Sequence, residues 1–580
     1  MKFCAIVEHK SLIFLYALWG FLHKRVVTIY GDRLEKMPNF LRKHINFEKD
    51  DIGCHYGQWY RIQKEMVCQS SYLERLRLDS MGFLKAKCKI YRTNKVVNHY
   101  KQLLSDLEYR LRRDKFLSGY AQEQVVFIFP HFKAHIELAK DCLDAQRFKT
   151  SYFLSVGYAV LGSLLYWKKV FSVFTLRLVR RPMHKAAMIK KLAWGFDNKG
   201  FRDDLLVDHK TVFPEDVLFY STGEEGKKWE RLAIFQAREN GYRVIEVGNE
   251  INTNRRGLQF IYFNFFCAIF LYPYALFTAP WLLFASTDFW VRASNSFKLY
   301  SFSEVSCHWS IGNWHDIVET VVANLCEIRM FMYHWSDNAQ HYFYSPIFTV
   351  QNDLFLWGPI MEEYQFRRSL HDHCYLIGCF FINSVEKKSK VQILQSLGLK
   401  QDRSVVVFYD SPVSDNMRFP KTQCDDFLNM VKEFALNRKD VQVVLKPRTV
   451  NDGYVKFFNT SPVHLFDGRD VSLKDIVVAG DVHVGMGIVA PPVLALMLNR
   501  PVVFYDTAGN DNSPLAQYEG ALVFRKKEQV LNRITAYLNK EIDAPEVPVI
   551  KEYNVPEVDS LEILRGYIKT GRVDARFQIY

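Results

Sequence analysis

The sequence predicts an α/β protein built on parallel sheets, and three observations in its carboxyl-terminal third carry that prediction. Val441–Leu445 and Pro501–Tyr505 are short runs of Val, Leu and Phe bounded by turn residues, the pattern of strands buried on both faces. A stretch of helical period lies between them, so strand, helix and strand alternate with short connections. The ends of these strands carry Lys446 and Arg448, then Gly485-Met486-Gly487, then Tyr505 and Asp506. Ligands of open parallel sheets sit at the carboxyl ends of the strands. Two cations and a glycine turn opening a helix suit a phosphate there, because exposed amides and the helix dipole both favour an anion. Asp506 and Asn510 are candidates for ribose or sugar hydroxyls.

The same sheet is expected to include Ser404–Tyr409, Ile476–Val478, Val482–Val484 and Ala521–Phe524, with helices over Asp425–Asn437 and Gln529–Leu538. Lys387–Ser404 reads as the linker into it, and Leu561–Lys569 as a final helix. At the other end of the chain, Phe3–Val7, Ser11–His23 and Val26–Tyr30 read as strand, helix and strand. No G-x-G-x-x-G follows the first strand, so a dinucleotide site is not expected. Glu8 and His9 interrupt the apolar start and no small-residue cleavage site follows, so this segment reads as part of the fold and not as a signal peptide.

In the middle of the chain, Lys95–Arg113 reads as a helix and Val125–Pro130 as a buried strand. His131, His135 and Glu137 follow that strand without the H-E-x-x-H spacing, and no metal is expected of them. Asp216–Tyr220 and Tyr242–Val247 read as strands flanking a helix stopped by Asn240-Gly241. Glu224 and Glu225 lie in the loop after the first of these, where a general base or nucleophile could stand, although acidic pairs commonly just face water. His334 and Asp337 follow the strand Ile328–Tyr333 in the same way, with an Asp cap as the alternative. Asp353–Gly358 and Cys374–Gly378 continue the strand pattern.

Two stretches are unusually apolar. Thr150–Trp167 holds no charge and is followed by Lys168, Lys169, Arg177, Arg180 and Arg181, which suits a helix lying in a membrane interface as well as a core helix with a charged end. Between Arg256 and Asp288 there is no charged residue. Pro273 and Pro280 are expected to break that stretch, and its Tyr, Phe and Trp content favours the headgroup boundary. Strands of one sheet are expected on both sides of it, so a true crossing would split a domain; a monotopic arrangement follows. The formal charge of +13 favours an anionic partner,. Without a zinc-finger or RNA-binding signature, that partner is read as a membrane surface or nucleotide, not nucleic acid. Eleven cysteines without a C-x-x-C pair fit reduced thiols in the cytosol,.

A strand ending in Lys-Pro, an acidic residue opening a short strand, Val-Gly-Met-Gly, a helix, and Pro-Val-Val-Phe-Tyr-Asp together resemble the carboxyl-terminal half of GT-B glycosyltransferases that build bacterial surface polysaccharides, capsule and lipopolysaccharide among them. The resemblance covers about residues 330–540. It implies two Rossmann-like domains facing a cleft: 1–390 on the acceptor side, carrying the apolar insertions at about 150–182 and 257–287, and 391–545 on the nucleotide-sugar side. Residues 546–580 would cross back to the first domain. It implies metal-independent transfer from a CMP- or UDP-linked sugar to a lipid-linked or growing glycan acceptor at the cytosolic face of the inner membrane. No cofactor is implied, since the nucleotide sugar is itself the donor substrate. Lys446, Arg448 and Gly485–Gly487 would meet the phosphate, and Glu224, Glu225, His334 and Asp337 would supply the base or nucleophile. Arg448 stands where many relatives carry His, and Leu494 where many carry Glu. A nucleotide-sugar epimerase and a catalytically inactive membrane scaffold are the alternatives.

Overall fold

The computed structural model describes residues 2–6, 11–30, 37–48, 76, 82–118, 124–191, 196–197, 200–201, 210–221, 234–246, 248–311, 317–333, 350–362, 370–379, 389–410, 421–447, 450, 452–467, 471–507, 513–544, 546–555 and 559–579. The α/β class is as expected, but the described residues form three parallel sheets of five or more strands. The first holds β1 (Lys2–Ala5), β2 (Val27–Tyr30), β3 (Ile45–Glu48), β4 (Val125–Pro130) and β5 (Phe148–Ser151) in the order β3-β2-β1-β4-β5. β6 (Arg177–Val179) belongs to a separate small pair. The second sheet begins with β7 (His184–Lys191); β8 (Phe196–Asp197) and β9 (Gly200–Phe201) form a minor hairpin.

β10 (Val217–Ser221) and β11 (Arg243–Glu246) continue the second sheet, and β12 (Glu250–Asn252) pairs with β6. β13 (Ser303–Ile311), β14 (Arg329–Tyr333), β15 (Asp353–Leu356) and β16 (His373–Leu376) complete it, in the order β11-β10-β7-β13-β14-β15-β16. The third sheet contains β17 (Val405–Tyr409), β18 (Gln442–Leu445), β19 (Val463–Leu465), β20 (Val482–Met486), β21 (Val502–Tyr505) and β22 (Val523–Phe524), ordered β19-β18-β17-β20-β21-β22. Each sheet runs outward from its first strand, then reverses to its fourth, which is the Rossmann order with a switch point between those two strands. The span expected to hold one Rossmann-like domain, 1–390, thus holds two such sheets among its described residues.

A helical layer joins the first sheet to the second. α1 (Leu12–Leu22), α2 (Gly82–Tyr91), α3 (Val96–Leu117), α4 (Tyr152–Phe171), α5 (Arg255–Tyr262), α6 (Ala268–Thr278) and α7 (Trp281–Ser301) contribute to one apolar core with strands from both sheets. Lys87 is buried in this layer; its Nζ donates to the Tyr100 hydroxyl at 2.6 Å and lies 3.6 Å from the Phe289 ring centroid, bringing α2, α3 and α7 together. A second core joins the second sheet to parts of the third-sheet unit through the carboxyl-terminal segment.

Several local expectations change. Ile476–Val478 is not a strand but part of α8 (Leu473–Ala479), a helix packed on two sides: Ile476 and Ala479 enter one apolar cluster and Val477 another. β19 takes the place expected for it, and its half-buried edge position explains its weak apolar signal. The linker Lys387–Ser404 contains a helix, Lys390–Ser396, opened by a reciprocal Ser389–Gln392 capping box,. β7 and β13 are central strands whose Lys, His and Ser residues conceal them in the sequence.

Pro273 does not break the apolar stretch: it lies within α6, exposed, so the carbonyl it leaves unpartnered lies on the outer side,. The turn comes at Ala279-Pro280, and α7 then runs back as a mostly buried helix. A π-helical turn, Phe263–Cys267, joins α5 to α6.

After the third sheet the chain returns to the second. Gly358 permits this, since a Cβ there would stand 2.2 Å from the Glu552 carbonyl oxygen,. Cys379 N–H donates to Asn554 Oδ1 at 2.6 Å, and the Ser560 hydroxyl donates to the Ile377 carbonyl at 2.7 Å. The helix that crosses back is Ser560–Thr570, and beyond it Gln578 bridges to Tyr375 at the edge of the second sheet.

Candidate functional site

The third sheet presents a row of polar groups at the carboxyl ends of its strands. Asp410 follows β17, Lys446 follows β18, Asp467 lies just beyond β19, Gly487 follows β20 and Asp506 follows β21. The ladder fixes their order. Lys446 N–H donates to the Phe408 carbonyl at 2.9 Å, Tyr409 pairs with Gly485, and Met486 pairs with Tyr505. The switch point falls between β17 and β20, so Asp410 and the glycine segment flank it,.

Lys446 is half-buried, and desolvation pulls its pKa below the ordinary lysine value while Asp467 and Asp410 oppose that shift. Tyr454, from the helix Asp452–Phe458, donates its hydroxyl to Asp410 Oδ2. Burial, with the Asp410 charge, pushes that phenol well above its ordinary range, so it remains a donor. Asp467 is buried and accepts from Val450 N–H at 3.1 Å. Asp506 is buried, and its backbone N–H joins β22 at Phe524.

The glycines have separate tasks. Gly485 lies inside β20, where a Cβ would stand 2.8 Å from Pro492 Cγ, so it allows α9 (Ala490–Met497) to lie close against the strand. Gly487 has φ of +70°, which favours glycine and turns the chain out of the sheet,. Its N–H donates to the Tyr505 carbonyl at 2.7 Å. The expectation of three bare amides therefore changes: Gly485 and Met486 belong to the ladder, and Gly487 has a backbone acceptor. The first turn of α9 also contains Pro491 and Pro492, which have no N–H to offer an anion. Leu494 is buried in the core shared with the second sheet.

Arg448 and Asn510 lie outside the described residues, as do Glu224, Glu225, His334 and Asp337. His131, His135 and Glu137 do not converge: His131 stacks on Tyr152, His135 packs among Phe129, Phe132 and Tyr158, and Glu137 pairs with Lys140 at 3.8 Å. Glu108, Asp141 and Cys142 are close enough for a metal, but Arg112 reaches both carboxylates, at 3.0 and 3.4 Å, and makes this an ion-pair cluster.

Asp410, Tyr454 and Asp467 were not singled out in the sequence. A signal for Asp410 was present: Val-Val-Phe-Tyr-Asp occurs at 406–410 and again at 502–506, so β17 and β21 end alike on the two sides of β20.

No protein-family model matches the chain, and no curated protein matches it. Among solved structures, the wall teichoic acid polymerase TagF is similar at 10% identity and a TM-score of 0.38, covering 71% of this chain and 97% of its own. MurG of Acinetobacter baumannii is similar at 10% identity and a TM-score of 0.34, covering 67% and 99%. UDP-N-acetylglucosamine 2-epimerase of Rickettsia bellii is similar at 13% identity and a TM-score of 0.35, covering 67% and 97%. At such identities and scores these likenesses assign neither family nor activity.

Proposed function

We propose that the chain is a GT-B type glycosyltransferase in which the second and third sheets are the two catalytic lobes. It would transfer a sugar from a CMP- or UDP-linked donor to a lipid-linked or growing surface-polysaccharide acceptor, as a peripheral protein on the cytosolic side of the inner membrane. The observation that carries this reading is the row of carboxyl-terminal strand ends around the third sheet's switch point, where Lys446, Asp410, Gly487 and Asp506 follow successive neighbouring strands,. In this reading Lys446 and Arg448 hold the leaving phosphate, with Gly487 shaping the turn beside it. Asp506 and Asn510 take sugar or ribose hydroxyls, and Glu224, Glu225, His334 or Asp337 deprotonates the acceptor or attacks the donor. Transfer needs no resident metal or cofactor, because fixed cations take up the leaving-group charge.

The second reading, an inactive membrane scaffold, draws on a specific observation. Gly487 N–H has a backbone partner, two prolines open α9, and Leu494 is apolar. Each removes a group that a nucleotide diphosphate would use.

Titration with CDP and UDP, read by thermal shift and by isothermal calorimetry, separates the two. The transferase reading expects a nucleotide-dependent rise in melting temperature that is lost in K446A. No binding of either nucleotide at millimolar concentration would reject it in favour of the scaffold.

A further inference from the structure

We propose that α4 and the α5–α6 segment together form a lipid-docking face that rests on one leaflet of an anionic bilayer without crossing it; this specifies the membrane partner of the function proposed above and rests on that reading. α4 is apolar on two opposite sides. Leu154, Tyr158, Gly162, Tyr166 and Val170 face inward at a spacing of four, and Gly162 lies so close to α7 that a Cβ would stand 3.0 Å from Leu283 Cβ. The opposite row, Tyr152, Val156, Val160 and Leu164, is exposed, with Leu164 at 65%. On a helix that met only water this row would be polar.

α5, the π-turn and α6 repeat the pattern. Phe260, Phe263, Cys267, Leu271 and Ala275 are buried, while Leu258, Tyr262, Phe266, Phe270 and Phe277 are exposed, the last two at 70% and 83%.

The two rows make one surface because the segments lie side by side and antiparallel. Tyr166 donates to the Ala268 carbonyl at 2.8 Å, Tyr272 to Ser163 Oγ at 2.9 Å, and Asn264 Nδ2 to the Val170 carbonyl at 3.2 Å. Ring contacts continue across the seam, Trp167 with Tyr272 at 5.0 Å and Phe174 with Phe265 at 5.6 Å. An apolar surface of two adjoining helices, each roughly 30 Å long at about 1.5 Å per residue, exceeds the patches ordinary monomers expose.

The charge at one end of this face identifies its occupant. α4 finishes and α5 starts beside the β6–β12 pair, where Lys168, Lys169, Arg177, Arg180, Arg181 and Arg255 are exposed. Glu250 pairs with Arg177 and Arg181, and Glu327 with Arg255, so the collar keeps a positive excess. Aromatic and aliphatic side chains bordered by cations match acyl chains bordered by anionic headgroups.

Arg255–Phe277 is long and apolar enough to cross a bilayer, yet its surroundings hold it on one side. Arg256 donates to the Tyr300 and Ser303 carbonyls where α7 ends. The inner row packs in the protein core along both α5 and α6, leaving the outer row for lipid.

Flotation of the full chain with phosphatidylcholine vesicles, with and without phosphatidylglycerol, tests the proposal. The wild-type protein should float with the anionic vesicles, and V160D/L164D and F270D/F277D should each lower the bound fraction at least tenfold. K168E/K169E should lower binding to the anionic vesicles alone. Quenching of tryptophan fluorescence by brominated lipids checks the same contact in the unsubstituted protein. Variants that float like wild type, absence of quenching, or a soluble dimer that V160D/L164D converts to monomer would each overturn it, the last by showing a second copy on this face. CDP and UDP binding, measured on the same samples without vesicles, distinguishes the failures: retained nucleotide binding without flotation rejects the lipid face alone, and flotation without nucleotide binding rejects the transferase reading.

Discussion

At the amino ends of β14, β15 and β16, Arg329, Asp353 and His373 converge with Tyr567, whereas at the carboxyl ends of β17 through β21 Asp410, Lys446 and Asp506 lie in a row. The same kinds of side chain occupy both places. Asp353 is fully buried; Arg329 donates to it at 2.6 to 3.0 Å, His373 Nδ1 lies 3.0 Å away, and the Tyr567 hydroxyl donates at 2.5 Å. Burial, reinforced by the Asp353 charge, pushes the Tyr567 phenol far up, so it stays protonated and donating. This cluster is closed on itself and fastens the helix Ser560–Thr570 to the second sheet. The third-sheet row is instead spread over successive strand ends, with its one described cation half-buried between carboxylates. Position along the strand, and not residue type, separates a fastening from a candidate site, because parallel strands turn into helices and open their loops at the carboxyl ends.

Substitutions can break this contrast. D353A should have the largest effect, a loss of about 3 kcal/mol in unfolding free energy, since the hydrogen bonds to its charge from Arg329 and from the buried Tyr567 hydroxyl are lost together,. Urea denaturation measures it, and nucleotide binding of the folded fraction should be unchanged. K446A should do the reverse, lowering transferase rate on the order of 100-fold with the urea midpoint nearly constant. Y567F removes one hydrogen bond to a charged group and should cost about 2 kcal/mol, with limited proteolysis cutting the terminal helix first.

A smaller effect sharpens the comparison inside the third sheet. His483 is fully buried beside Tyr409, whose hydroxyl lies 3.0 Å from its Nδ1. Burial, with Arg500 adding to it, pushes the imidazole down to about 3. Between that value and roughly 6.5, where an unfolded histidine titrates, the unfolded chain binds the extra proton. Stability from this group is therefore present above that window and lost as pH falls through it. Denaturation of H483Q should show a pH slope shallower by up to about 1.4 kcal/mol per pH unit over that range. G487A should cost least, about 1 kcal/mol from the positive φ, read as a shift in urea midpoint,.

Much of the third sheet was legible. β17, β18, β20, β21 and β22 fall within a residue or two of the apolar runs that announce them, and Gly241 takes the positive φ expected of a helix stop. The apolar runs at 476–478 and 482–484 look alike in sequence, yet one is a helix and the other a strand. Only packing between layers distinguishes them. At the site, Lys446 stood out because a cation follows a buried strand, while Asp467 did not, since its strand is short and at the sheet edge. The role expected for the glycine amides failed for a tertiary reason: Tyr505, on the neighbouring strand, supplies the acceptor.

The sequence by itself determined the alternation of buried strands and helices, the two uncharged stretches and the cations beside them, because local composition and period fix which segments leave water. Tertiary structure decided that the described residues form three large sheets and not two, that Pro273 sits within a helix, and which side of each apolar helix remains outward. Those outcomes depend on contacts between residues a hundred or more positions apart, such as Tyr166 with Ala268 and Tyr567 with Asp353, which no local pattern encodes.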